Sequence, residues 1–190
     1  MKYMKYMHMY KKSFRYLAVL TFLLSCNSNA RMNNAERLVD EWVDKTIVFA
    51  PDIPCTSAGK DTICPDCADK PFRVLVYSDS TGCTSCKLRL YEWKQLMAEA
   101  DSTMPELVFD FYFHPKDERA LKIFLKRDDF NYPVHIDRND QLNQLNKFPA
   151  DEQYQCFLLD GNNKVLLIGN PTNPNVWALY KQMIKGDIKE

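Results

Sequence analysis

"RVLVYSDSTGCTSCKLRLYEWKQLMAEA", residues 73–100, runs from a β-branched, apolar stretch through a polar loop with two cysteines three positions apart into a segment of helical periodicity. The run over 73–78 is short enough for a buried strand. Beyond the loop, Cys86, Leu90, Trp93 and Met97 recur at the spacing of one helical face. A strand that feeds a helix through a CxxC turn opens an α/β unit.

A cysteine at a helix start meets unpaired backbone N–H groups and the positive end of the helix dipole, both of which favour thiolate over thiol. The pattern puts Cys83 in that position. Cys86 falls in the first turn and begins the apolar face, so it is the more buried of the two. Cys83 is therefore the expected attacking sulfur and Cys86 the resolving one. Lys87 adds a nearby positive charge on what is also a solvated surface. Asp79, four residues before Cys83, is a candidate proton acceptor for the buried thiol, or an ordinary strand-end turn former.

Outward from this unit the periodicities continue. "LVFDFYF" (107–113) reads as a second strand, and "PKDERALKIFLKR" (115–127) as a helix burying Leu121, Phe124 and Leu125. "YPVHID" (132–137) reads as a third strand and "QLNQLNKF" (141–148) as a short helix. "CFLL" and "KVLLI" flank the turn residues "DGNN" at 160–163 and predict a hairpin. A last helix over about 175–185 turns Val176, Leu179, Met183 and Ile184 inward. Upstream, Asn34 caps a helix "AERLVDEWVDK" that places Leu38, Val39, Trp42 and Val43 on one face. "TIVFA" (46–50) reads as a strand, and the Pro-, Gly-, Ser- and Asp-rich remainder to residue 71 as irregular. The expected architecture is α/β, a mixed central sheet with helices on both faces, its first strands parallel and its last pair antiparallel.

This order, with CxxC at the first strand-to-helix junction, resembles the thioredoxin-like three-layer sandwich. "YPVHIDRND", a short helix and "CFLLDGNNKVLLIG" are similar to the strand, short helix and "FLID-x-x-G-x-I" hairpin of membrane-anchored, periplasm-facing thioredoxin-like proteins of the Bacteroidetes type, related to thiol reductases and peroxide-reducing enzymes. The resemblance covers about residues 71–185. It implies a thiol–disulfide oxidoreductase that reduces protein disulfides through Cys83 and Cys86, with a client protein bearing a disulfide or thiols and a thiol electron donor as partners. Two positions depart from the family pattern: Gly82 stands where Trp usually precedes the first cysteine, and the family's cis-proline position falls on Tyr154. The nearest proline is Pro149, so the expectation is either a cis Phe148–Pro149 bond followed by a five-residue insertion, or no proline at the usual place.

The other cysteines keep two alternatives open. Cys64 and Cys67 in "CPDC", with Cys83 and Cys86, repeat CxxC at a spacing known for zinc. On that reading the chain is a redox-inactive thioredoxin-like binding or scaffold protein with a structural zinc or structural disulfides. On the redox reading there is no cofactor, and Cys55 pairs with Cys64 or Cys67 as a local staple, or Cys64 with Cys67 as a second exchange site. A permanent Cys83–Cys86 staple would close a very short loop and contribute little stability. Cys156 begins a buried strand and reads as a small apolar residue. His114 and His135 are not at ligand spacing and read as solvated or packed.

The N-terminus sets the compartment. Residues 1–25 carry Lys2, Lys5, Lys11, Lys12 and Arg15 with no acid, then the apolar run "LAVLTFLL" at 17–24. That is an export signal, too short to span a bilayer, and Met9 can serve as an alternative start. Leu23, Leu24, Ser25 and Cys26 resemble a lipobox, which implies acylation of Cys26 and anchorage to a membrane of the cell envelope, facing the periplasm. A plain secretory peptide is the alternative. The expected organisation is a signal peptide over 1–25, then a tether, helix and Cys-containing irregular segment over 26–70, then a thioredoxin-like domain over 71–190. Five of the 25 Lys and Arg residues lie in 1–25 and none of the 25 acids does, so residues 26–190 carry a formal charge of −5. With no basic stripe interleaved with aromatics, nucleic acid is not an expected partner. Outside the cytoplasm, thiols tend to pair, so the six cysteines after Cys26 are expected as disulfides or redox groups.

Overall fold

The computed structural model describes residues 35–64, 70–80 and 88–186. The chain divides into two compact units, residues 1–41 and 42–190. Of the first, residues 35–41 are described and are helical. The second holds a seven-stranded sheet of β1 (Cys55–Ser57), β2 (Lys60–Thr62), β3 (Phe72–Ser78), β4 (Leu107–Phe113), β5 (Val134–Ile136), β6 (Cys156–Asp160) and β7 (Val165–Ile168). Their spatial order is β2-β1-β5-β4-β3-β6-β7. The pairs β3–β4 and β4–β5 are parallel, and β6 returns antiparallel to β3 with β7 beside it. Among the described residues four helices accompany the sheet: α1 (Leu90–Thr103), α2 (Glu118–Arg127), α3 (Gln141–Asn146) and α4 (Pro174–Ile184).

The alternation of side chains along the strands divides the interior in two. Val74, Val76, Phe111, Phe113, Val134, Ile136 and Leu158 face one way and pack in one cluster with Trp93 and Met97 of α1, Leu121 and Leu125 of α2, and Trp177 and Tyr180 of α4. On the opposite face Phe157, paired with Leu75 in the ladder, meets Trp42 at 5.0 Å and Phe148 at 5.1 Å between ring centroids. Tyr77 stacks against the same Phe148 at 4.9 Å. The strands of the parallel core are buried on both faces, which is why β3 and β4 read as nearly unbroken apolar runs.

Three of these helices, α2, α3 and α4, begin where the sequence supplies side-chain acceptors for their unpaired N–H groups. Asp117 caps α2 by accepting from the Ala120 N–H at 3.1 Å, and Asn173 caps α4, with Pro174 in the first turn, by accepting from Asn175 at 3.0 Å. At α3 the buried Asp137 takes the N–H groups of Gln141 (2.9 Å) and Leu142 (2.8 Å). The DGNN turn works as its residue types suggest: Asp160 accepts from Asn162 and Lys164, both at 2.8 Å, and Asn163 takes a positive φ of 65°.

Four elements differ from the sequence expectation. "TIVFA" is not a strand; only Thr46 forms an isolated bridge, to Lys164, and Phe49 instead lies against Tyr112 at 5.8 Å and under Arg73 at 4.7 Å. The irregular segment holds the β1–β2 hairpin, so the sheet begins before residue 71. In α4, Trp177 and Tyr180 turn inward while Leu179 is 45% exposed. In α2, Phe124 is only half-buried and carries Arg127 over its ring at 4.9 Å.

Candidate active site

β3 ends at Ser78, and the described chain resumes at Leu88 after the segment 81–87, which holds the CxxC pair. Beside these two ends lies a cleft of about 220 Å³. Its lining includes Val76, Phe113, Trp93 and Cys156 from the core side and Gln155, Arg89 and Thr172 from the polar side. The topology puts it there: β6 pairs with β3 in the register Val76↔Cys156, which brings the start of the hairpin against the C-terminal end of the central parallel strand. In open α/β sheets this end of the strands, where the loops converge, is the usual place for a site.

Gln155 organises the polar side. Only 3% exposed, it donates from Nε2 to Asp79 Oδ2 (3.3 Å) and to the Pro149 carbonyl (3.0 Å), while its own carbonyl accepts the Tyr77 N–H at 3.0 Å. Gln155 thus joins β3 through its main-chain carbonyl, and the acid four residues before Cys83 and the loop ahead of β6 through its side chain. Arg89 joins the other rim, donating to Thr172 Oγ1 at 3.0 Å and to Glu92 Oε1 at 2.9 Å. Neither Gln155 nor Arg89 is marked by any sequence motif. Cys156 is a free thiol that lines this cleft yet is 2% exposed; burial pushes its pKa up, and it remains a protonated, apolar group.

Cys83, Cys86 and Lys87, like Cys26 and Cys67, lie outside the described residues. The described part of their helix corrects one expectation. Arg89 adopts a left-handed conformation, φ 41°, and α1 runs regularly only from Leu90, so the segment 83–100 is not one unbroken helix. The apolar spacing of Leu90, Trp93 and Met97 happens to extend back to Cys86 across a residue that does not continue the helix. Pro149 corrects another. No peptide bond among the described residues is cis, so the Phe148–Pro149 bond is trans. Trans is the favoured isomer of an X–Pro bond. The place of the family's proline is taken by a short 3₁₀ turn, Glu152–Tyr154, whose amide at Gln153 is capped by Asp151 at 3.1 Å.

A second group of reactive side chains lies at the β1–β5–β4 side of the sheet. Cys55 on β1 is bonded to Cys64 just beyond β2, with Cα atoms 5.5 Å apart. A sulfur bonded to sulfur offers no thiolate, so the set Cys64, Cys67, Cys83, Cys86 lacks one of its zinc ligands here. Cys64 lines a cleft of about 120 Å³ with Leu107, Val108, Phe109 and Asp110 of the first half of β4. Next to Cys64 stands His135, paired with Cys55 in the ladder, its Nδ1 3.6 Å from Cys64 Sγ and its Nε2 3.3 Å from Asp110 Oδ1. Its ring stacks on Tyr112 at 4.1 Å and 6°. His135 is therefore packed, but against a charge and a sulfur. His114 packs too, its Nδ1 2.8 Å from the Asp137 carbonyl oxygen.

The seven-stranded mixed sheet, with its parallel core, its antiparallel terminal hairpin and the helices packed on it, is that of a thioredoxin-like fold. Solved structures of that fold match most of the chain. A thiol-disulfide oxidoreductase from Bacteroides fragilis aligns over 72% of this chain and 99% of its own, at 11% identity and a TM-score of 0.52. A structure described as a thiol:disulfide interchange protein DsbE from Chlorobium tepidum aligns over 74% and 96%, at 20% identity and a TM-score of 0.51. The bacterioferritin comigratory protein of Xanthomonas campestris, described with alkyl peroxide reduction activity, aligns over 74% and 99%, at 14% identity and a TM-score of 0.52. At these identities the likeness is one of fold. No family model matches the sequence, and no curated protein does.

Proposed function

We propose that the chain is a lipid-anchored, extracytoplasmic thiol–disulfide oxidoreductase that reduces client disulfides with Cys83 and Cys86. The observation that carries this reading is a cleft with an apolar wall and a polar rim at the C-terminal end of the central strand of a thioredoxin-like sheet, lined by Ser78 and Leu88, described residues that precede and follow the segment holding Cys83 and Cys86 in the sequence. Apolar surface there can receive a client segment, and the half-buried Asn170 offers its side-chain amide for the client's backbone. Anchorage rests on the Leu23–Cys26 lipobox and the preceding signal. No helix among the described residues is long and apolar enough to cross a membrane.

The reaction is a pair of thiol–disulfide exchanges. The Cys83 thiolate attacks one sulfur of the client disulfide, and the other client sulfur leaves with the bond's electron pair and takes up a proton. Cys86 then gives up its proton and attacks the Cys83 sulfur, releasing the second client thiol and leaving a Cys83–Cys86 disulfide. Asp79, which accepts from Gln155, is the proton acceptor assigned to Cys86 on this reading. A thiol electron donor restores the dithiol. The test is insulin-disulfide reduction by the chain. Wild type turns over, Cys83→Ser abolishes turnover, and Cys86→Ser accumulates a mixed disulfide with the client. A wild-type chain with no turnover and no mixed disulfide from Cys86→Ser would sink the reading.

A further inference from the structure

The Cys55–Cys64 bridge does not have the surroundings of an inert staple. Its two sulfurs differ in access: Cys55 is 7% exposed, whereas Cys64 is half-buried and lines the 120 Å³ cleft with Asp101, Tyr132, Pro133 and His135. Beside the reachable sulfur stands an imidazole that is itself oriented. Asp110, 5% exposed, places Oδ1 3.3 Å from His135 Nε2, a negative neighbour that favours the proton on that nitrogen and leaves the Nδ1 lone pair on the side of Cys64, 3.6 Å away. Arg73 lies 3.6 Å from the other oxygen of Asp110, and stacking on Tyr112 fixes the ring plane. A buried carboxylate, an imidazole and a cysteine sulfur in line are the arrangement that turns a thiol into a nucleophilic thiolate.

We propose that Cys55–Cys64 is a second exchange-active disulfide, with Cys64 the sulfur that trades with partner thiols and His135, positioned by Asp110, the group that holds it as thiolate. This site works without Cys83 and Cys86 and is independent of the function proposed for them. Its partner is a dithiol in one direction and a disulfide in the other. A partner thiol passes its proton to His135 Nδ1 and attacks Cys64 Sγ. As the partner–Cys64 bond forms, the Cys55–Cys64 bond breaks, and its electron pair leaves on Cys55, which takes the proton back from His135. The three ligand atoms lie within 4.8 Å of one another, which suits that transfer. The partner's second thiol then loses its proton to His135 and attacks its own bound sulfur, and Cys64 departs as a thiolate beside the imidazolium. Two electrons and two protons have moved from the dithiol to the chain, one proton now on Cys55 and one on His135. The reverse sequence reduces a partner disulfide.

Among the described residues, the charged and titratable groups that face His135 are Asp110 and Tyr112 of β4, Cys55 of β1, Cys64 and, through Asp110, Arg73 of β3, with Asp101 and Tyr132 at the cleft rim. The test uses the full chain with Cys26, Cys67, Cys83 and Cys86 changed to Ser, so that only this pair and the buried Cys156 remain. In native buffer, dithiothreitol should open the bridge and glutathione disulfide reclose it, with the circular-dichroism melt showing a folded chain throughout. Cys55→Ser should trap glutathione on Cys64, whereas Cys64→Ser should trap none on Cys55. Iodoacetamide should alkylate reduced Cys64 at a pH well below that of an ordinary thiol. His135→Gln should move that pH profile up and slow reduction roughly tenfold. Asp110→Asn should move it the same way and serves if His135→Gln does not fold. A bridge that opens only when the chain unfolds, trapping on Cys55, or an alkylation profile unmoved by the folded variant would overturn the assignment.

Discussion

Glu118 opens α2 inside a small network of cations. Arg138 donates to it from Nε at 2.5 Å and Nη2 at 3.0 Å, and Lys122 lies one turn along at 3.0 Å. Chiefly through the Arg138 hydrogen bonds, and against an opposing push from desolvation, its carboxyl is held down to about 2 from an ordinary 4.5. A folded value below the unfolded one means a contribution to stability present above pH 4.5 and lost as pH falls toward 2. Arg138 is 55% exposed, so the contribution is about 1 kcal/mol rather than the larger figure the shift alone would suggest. Glu118→Gln should therefore melt below wild type at neutral pH and coincide with it near pH 2, read by circular dichroism across that range. Equal gaps at both ends would refute the account. The sequence shows Glu118 as a helix-start acid; that its partner is Arg138, twenty residues on, follows only from the fold.

Among the elements, the β1–β2 hairpin is where sequence reading stops short. Its strands, Cys55–Ser57 and Lys60–Thr62, have no hydrophobic alternation, and its turn residues Ala58 (φ 49°) and Gly59 (φ 75°) lack the Asn or Asp that usually marks two positive φ angles. What holds it is tertiary: Ser57 Oγ donates to the Asn131 carbonyl at 2.7 Å, and the Ala58 N–H to the Phe130 carbonyl at 3.0 Å. Gly59 passes directly over the Lys122 carbonyl of α2, where a Cβ would collide with backbone oxygen. Gly59→Ala should cost about 1–3 kcal/mol, from the positive φ and the contact together, and lower the melting temperature. A melt unchanged within error would mean the hairpin is not seated on α2 as described. By contrast, β3, β4, the β6–β7 hairpin and the three longer helices follow from periodicity, because their burial is set by their own residues. The start of α1 does not, because a left-handed Arg89 leaves the apolar spacing undisturbed.

The whole molecule depends on both faces of its sheet being covered. One is covered by α1, α2 and α4; on the other Trp42, 2% exposed, bridges Phe148 and Phe157. Trp42→Ala would leave a void against the sheet and should cost about 3–5 kcal/mol, measured by urea denaturation. A loss under about 1 kcal/mol would show the second face to be covered by something else. The parallel core and the terminal hairpin could be read from sequence because each strand declares its own burial. The Cys55–Cys64 pairing and the Asp110–His135 contact could not, since they come from strands brought together by register, Cys55↔His135 and Tyr112↔His135.

β2, the outermost strand on that side, is three residues long, Lys60, Asp61 and Thr62, all exposed, with Asp61 held by Lys122 at 2.6 Å. A neighbouring chain would find there a ladder too short and too charged to extend. Proteins crowded side by side in a plane meet their own copies far more often than they would in dilute solution. A blunted rim of this kind keeps such encounters from growing into fibres.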